Sequence, residues 1–362
     1  MKRKINIIGA VLVSAFLLWN CTESKIAGPQ KSLKESLTAG SEQLNTAIDE
    51  IAKTPGYSVL NPGQDAALKS GTADTVEYFD SISLADISGI YEYQFAQANY
   101  RCHSCFHRKF VKTGDSSLLV VMLPEKQVFH PYRLHHMYAE DSALVNNFKI
   151  TATDYHYFFN RGLMYDYKLT AGLMLDSTDI GSMDIESNRN SWKELNYSSS
   201  YNFSNNYSIN FSRMTGDTSL FSFSLLNGTD VLLKESLQTV KNDTTWGREK
   251  EYTLTIGNVE IVRNTSTDSI AVYVDGVLQQ NASVDFIYSQ PNRGECWFSA
   301  RTRDIQITFD DGTQTSLSEL IGPSMDTLKN LVSSMHNMYF ATNVVDYIAW
   351  NIYKGRISNY SN

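Results

Sequence analysis

Apolar and polar residues alternate with a period of two from about Ile87 to Phe309, and segments with helical spacing bracket this stretch. In YSINFS, Tyr207, Ile209 and Phe211 fall on one face, and Ser208, Asn210 and Ser212 fall on the other. That is the mark of a strand with one covered side and one wetted side. EYTLTIGNVEIV repeats the alternation until Gly257 interrupts it. SIAVYVDGVLQQNASVDFIY reads as strand, turn, strand, with Asp275-Gly276 as a compact hairpin signal. Further turn signals stand at Thr113-Gly114-Asp115, Thr215-Gly216-Asp217, Asn227-Gly228 and Asp311-Gly312. Strands joined by such short turns are antiparallel neighbours, so the pattern predicts a long meander.

Before the strands, Leu33, Leu37, Leu44, Ile48 and Ile51 fall three to four residues apart or on multiples of that spacing, which predicts a helix over about 32–53, stopped at Thr54-Pro55-Gly56. Residues 61–75, rich in Gly, Ala, Asp and Ser, read as a loop. After the strands, Ser316 and Glu319 match a capping box, and Gly322-Pro323 breaks the turn that follows. Leu328, Leu331, Val332, Met335 and Tyr339 then form one apolar stripe, continued by Val344, Val345, Ile348 and Ile352 as far as Gly355. These stripes need a partner, and the apolar face of the meander is the available one. The expected fold is therefore mainly β, of α+β type. It is a large curved antiparallel meander with an N-terminal helix and C-terminal helices packed on its apolar face.

The first twenty residues stand apart. Lys2, Arg3 and Lys4 precede an apolar run, Ile5–Trp19, that is short for a bilayer span and ends in LLWNC. This resembles the signal of bacterial lipoproteins of the Bacteroidota type, in a looser form, since Trp19 and Asn20 stand where small residues are usual. The resemblance covers residues 1–21 and carries no functional site with it. It implies cleavage before Cys21, lipid attachment at Cys21 and an envelope location, in the outer membrane, with surface and periplasmic faces both open. CTESK offers only Glu23, beside Lys25, where surface-directed lipoproteins cluster acids, which leans towards the periplasmic side. The expected organisation is a signal over 1–20, a tether over 21–31, one β-rich domain over 32–356 and a tail over 357–362.

Charge narrows the partners. The whole chain carries −8, and losing the three signal cations takes it to −11. A well-mixed acidic surface argues against nucleic acid, which needs clustered Lys and Arg, and against adsorption on anionic lipid through a basic patch. The expected partners are the membrane, through the lipid at Cys21, and a glycan, a lipid or an envelope protein. With 42% apolar residues the chain can bury a large core without cysteine staples.

RCHSCFHRKF (101–110) is the stretch that most resembles chemistry. A c-type haem anchor needs histidine directly after the second cysteine, and Phe106 intervenes before His107. Cys102, Cys105 and His107 supply three of the four ligands of a zinc site; His130, His135, His136 or Cys296 would complete it only by tertiary approach. A thiol redox pair belongs at a strand-to-helix turn, whereas both flanks here read as strands. Three cysteines besides Cys21 leave one structural disulfide among Cys102, Cys105 and Cys296, or none. No cofactor is expected. FHPYRLHHMY (129–138) reads as a loop.

NYSSSYNFSNNYSINF (196–211) interleaves aromatic and small polar residues. One reading makes it a stacking platform for sugar rings, with Trp192, Tyr197 and Tyr201 as first candidates. The other places Tyr201, Phe203, Tyr207, Ile209 and Phe211 in the core. No nucleophile elbow, metalloprotease helix, P-loop, dinucleotide fingerprint or EF-hand loop is present, and Asp310 and Asp311 sit in turn-like sequence. The expected function is a non-catalytic envelope lipoprotein, a scaffold or a glycan- or protein-recognition module. The alternative is a carrier or chaperone of a lipid or lipidated partner in a cavity between sheet and helices, and a third is a hydrolase without a recognised signature.

Overall fold

The computed structural model describes residues 32–60, 80–94, 110–125, 145–160, 164–191, 193–241, 248–267, 269–288, 303–322, 324–336 and 339–360. The chain divides into a short unit, 1–32, and a large one, 33–362, which carries every described helix and strand. It is mainly β, a 15-stranded, mostly antiparallel meander with a helix before it and helices after it. A separate three-stranded sheet precedes the C-terminal helices.

Helix α1 (Leu33–Ala52) buries Leu33, Leu37, Leu44, Ile48 and Ile51, the stripe read from the sequence. Each such side chain contributes roughly 1.5–3 kcal/mol when fully buried. Thr54 separates α1 from a short α2 (Pro55–Leu60), which opens on Pro55, where the missing N–H costs nothing. Strand β1 (Asp80–Ser83), the single turn α3 (Leu84–Ile87), β2 (Gly89–Tyr93), β3 (Phe110–Gly114) and β4 (Leu119–Leu123) follow. The long strands come next: β5 (Phe148–Asn160), β6 (Met164–Leu175), β7 (Thr178–Arg189), β8 (Leu195–Phe203), β9 (Tyr207–Thr215), β10 (Thr218–Asn227), β11 (Asp230–Lys241) and β12 (Arg248–Ile256). Shorter ones, β13 (Val259–Asn264), β14 (Ser269–Val274) and β15 (Val277–Leu278), finish the large sheet. The small sheet is β16 (Ser283–Tyr288), β17 (Arg303–Thr308) and β18 (Gln314–Ser316).

From β4 to β15 every strand pairs antiparallel with its neighbour in sequence. The turns carry the positive φ that tight hairpins need: Asp275 and Gly276 at 50° and 77°, and Asp176 and Ser177 at 49° and 67° without any glycine. One pair departs from the expected meander, since β2 runs parallel to β4. Strand β5 is long enough to pair with β4 over Phe148–Ala152 and with β1 over His156–Phe159. Alternation sets the buried face as predicted: Tyr207, Ile209 and Phe211 are buried, and the residues between them are half-buried.

The apolar face is covered from both ends of the chain. Helix α1 lies over β11, β12 and β13. Helix α4 (Leu317–Ile321) starts at the predicted capping box, where Glu319 N donates to Ser316 Oγ and Ser316 N donates to Glu319 Oε2 (3.1 and 2.9 Å). Helix α5 (Ser324–His336) packs on β8 and β9 and buries Leu328, Leu331 and Met335. Helix α6 (Tyr339–Tyr360) buries Val344, Val345, Ile348 and Ala349. Asp311, in the β17–β18 turn, accepts from Lys34 at 2.9 Å, so this acid ties α1 to the small sheet. Hydrogen bonds from Thr313, then from Lys34, hold its pKa down at about 2.

Candidate functional site

Strand register builds the site. One row runs straight across the sheet, Tyr157 on β5, Tyr167 on β6, Ser187 on β7, Tyr197 on β8 and Arg213 on β9. The row on one side carries Tyr165 and Leu195, and the row on the other carries Ile185 and Phe211. Small Ser187 falls between two tyrosines, and the space it leaves unfilled is part of a cleft of about 310 Å³. Tyr165 and Ser187 share a hydrogen bond at 2.9 Å between their hydroxyls.

Helix α6 closes the cleft. Thr342, Asp346 and Trp350 are spaced four residues apart, which aligns them on one helical face. Trp350 meets Tyr157 edge-on with ring centroids 5.6 Å apart, and Thr342 and Asp346 line the cleft itself. The rings on the sheet side are also steeply inclined to one another: Tyr157 and Tyr167 at 73°, Tyr155 and Tyr167 at 88°, Tyr197 and Phe211 at 62°. Such edge-to-face pairs fix the wall and contribute about 0.5–1.5 kcal/mol each beyond the area they bury.

Asp346 is the acid of this site. Tyr155 donates to its Oδ1 at 3.1 Å, and the Tyr167 hydroxyl lies beside the same carboxylate without completing a well-aligned hydrogen bond. The carboxyl keeps part of its surface open to the cleft, but protein atoms enclose it so fully that loss of water raises its pKa to about 7, against the opposing pull of the two tyrosine hydroxyls. The tyrosines respond in turn. Burial first, then the charge of Asp346, pushes Tyr157 up to about 12 and Tyr155 and Tyr167 well above their ordinary value. All three therefore remain protonated hydroxyls. Thr342, 4% exposed, has a buried hydroxyl oxygen with no hydrogen-bond partner among the described residues. Buried polar atoms are nearly always paired, so an orphan in a cleft wall is a contact waiting for a ligand or water.

The opposite face of the same strands is polar. Ser198, Ser200, Asn210, Ser212, Ser222 and Ser224 border a second depression of about 350 Å³, flanked by Lys168 with Asp154 at 3.1 Å and Glu186 at 3.6 Å. Small hydroxyls make up most of its lining, and Phe211 is the one aromatic among the described residues there.

The residues singled out in the sequence divide three ways. Tyr197 is half-buried, packs on the core and lines the cleft. Tyr201 is 0% exposed and its hydroxyl donates to the Ile180 carbonyl at 3.2 Å; as a stacking residue it is corrected to a core residue, because its odd-numbered position in β8 turns it inward with Phe203. Phe203, Tyr207, Ile209 and Phe211 are buried with it. Cys21, Cys102, Cys105, Cys296, His107, His130, His135, His136 and Trp192 lie outside the described residues. Among the described residues no three His, Cys, Asp or Glu side chains converge as a metal site would require.

Asp346, Thr342 and the tyrosines of β5 and β6 went unread in the sequence. Two signals were there: Tyr155-x-Tyr157 and Tyr165-x-Tyr167 at strand period, and one acid between Val345 and Ile348 in an otherwise apolar helix stripe. Comparison with protein-family models, with curated proteins and with solved structures gives no match.

Proposed function

We propose that the protein is a non-catalytic, envelope-anchored recognition module that binds a sugar-sized ligand, such as the end residue of a glycan, in the tyrosine cleft. The observation that carries this reading is the pairing of aromatic walls with a small set of convergent polar groups, Asp346, Thr342 and Ser187, in one open cleft. Aromatic rings stack against the C–H faces of sugars, and an acceptor carboxylate with an unpaired hydroxyl binds their hydroxyls. About 310 Å³ is the lower end of small-molecule sites, which suits one ring better than a chain. Most glycosidases place two carboxyl groups across the scissile bond, and Asp346 is the one acid among the described cleft-lining residues.

The carrier reading shares one feature with this one, since the cleft lies between sheet and helix. Its polar end and its size disfavour an acyl chain, and the helix stripes around it, Leu331, Met335 and Ile348, pack solidly at 0–3% exposure. The test is a screen of the full chain in detergent against a broad glycan array, with Tyr197→Ala and Ser187→Leu as controls. The expected result is saccharide binding lost in both variants. Binding that survives both substitutions, or no saccharide bound at all, sinks the reading.

A further inference from the structure

Asp346 is a half-buried carboxyl that opens in part to the cleft, and among the described residues no cation pairs with it. Buried charges in proteins are paired or neutralised, because desolvating an isolated carboxylate costs several kcal/mol. Here the enclosure holds the group at the edge of neutralisation, with one well-formed hydrogen bond from Tyr155. The side chains around it are aromatic, and the negative faces of such rings attract cations. Arg213 stands at the far, exposed end of the cross-sheet row, three strands from Tyr167, which is roughly 14 Å at the usual strand spacing. It makes no ion pair with Asp346 and is not among the groups that set the pKa of that carboxyl, and its charge disfavours a ligand cation at that end. The cleft is thus electrostatically polar, open to positive charge at Asp346 and closed to it at Arg213.

We propose that the ligand feature recognised in the cleft is a protonated amine, seated against Asp346 and the rings of Tyr157 and Tyr167. The ammonium donates to the carboxylate, the one acid among the described residues of the cleft, and it supplies the counter-ion that those residues do not. With the sugar-sized reading above, on which this rests, the ligand is an amino sugar with its ring on the tyrosine wall and its nitrogen at the enclosed end. Thr342, with its unpaired hydroxyl on the same helix face as Asp346, accepts or donates to the neighbouring ring substituent.

The test is calorimetric titration of the full chain in detergent at pH 7 with four probes: glucosamine, N-acetylglucosamine, glucose and methylammonium. N-acetylglucosamine keeps the ring and nitrogen but removes the charge, so wild-type protein alone decides the point without any variant. The expected result is glucosamine bound about tenfold or more tighter than either neutral sugar, the gain typical of a desolvated cation on aromatic rings. Asp346→Asn retains an oxygen for Tyr155 and is expected to abolish that preference, bringing glucosamine down to the affinity of the neutral sugars in the same variant. Equal binding of the three sugars, unchanged in Asp346→Asn, overturns the amine and leaves the saccharide reading intact. Methylammonium bound in an Asp346-dependent way, with no sugar bound, supports the amine and sinks the saccharide reading. No binding of any probe overturns both.

Discussion

At neutral pH Asp346 sits near its own midpoint, and stability is linked to that position. Its pKa is 3.8 unperturbed and about 7 in the fold, so the native state holds the proton more tightly than the unfolded chain. The contribution is complete below about pH 4 and is lost as pH rises through about 7. A shift of this size corresponds to on the order of 4 kcal/mol, reduced by whatever water enters the cleft. Asp346→Asn, which cannot ionise, is expected to match wild type near pH 4 and to exceed it at pH 8. Urea denaturation at both values checks this, and a difference that stays constant with pH refutes the assignment. Ser187 acts at the same scale through size. Ser187→Leu fills the gap between Tyr167 and Tyr197 from a half-buried position, so stability is expected to change by about 1 kcal/mol or less while cleft binding falls at least tenfold. Binding retained in a folded Ser187→Leu protein would place the ligand elsewhere.

Elements bring these residues together through register, and register is the part a single sequence conceals. Alternation tells which face a residue takes, as it did for Tyr207, Ile209 and Phe211, but a pairing partner depends on turn lengths and bulges along several strands. Nothing in the stretch around Ser187 announces that it lands between Tyr167 and Tyr197. Local signals fared better because their chemistry is local. The capping box at Ser316 formed as read, and Ser316→Ala is expected to cost about 1 kcal/mol by freeing the Glu319 N–H, measured as a lowered denaturation midpoint. Gly181 shows the opposite case. It sits in β7 beside a register shift, with φ of 139° and the Asn202 carbonyl in the way of any Cβ. Gly181→Ala is therefore expected to cost about 2–4 kcal/mol. A midpoint unchanged from wild type would mean that β7 relaxes freely there. The sequence around Gly181, MLDSTDIGSMD, reads only as a strand after a turn, so the strain was invisible.

For the molecule as a whole, the meander and its terminal helices were legible because long, regular patterns repeat across many residues. The parallel β2–β4 pair and the separate small sheet were not, since both depend on connections that turn chemistry does not dictate. How the molecule is held in place is a question of the same scale. Among the described residues no helix is long and apolar enough to cross a membrane. The chain's net charge of −8, which becomes −11 if residues 1–20 are removed, opposes adsorption on anionic lipid, and screening by salt would only weaken that repulsion. In the envelope-anchored reading, attachment then falls to acyl chains at Cys21, and more than one chain is needed for stable anchoring. Cys21→Ala is accordingly expected to lose incorporation of labelled palmitate and to move the protein from the membrane fraction to the aqueous one, at low and high salt alike. The cleft is formed by β5–β9 and α6, all within 33–362, so the released protein should keep its ligand affinity. A Cys21→Ala protein that stays with the membrane through a high-salt wash would show that something other than lipid on Cys21 holds it there.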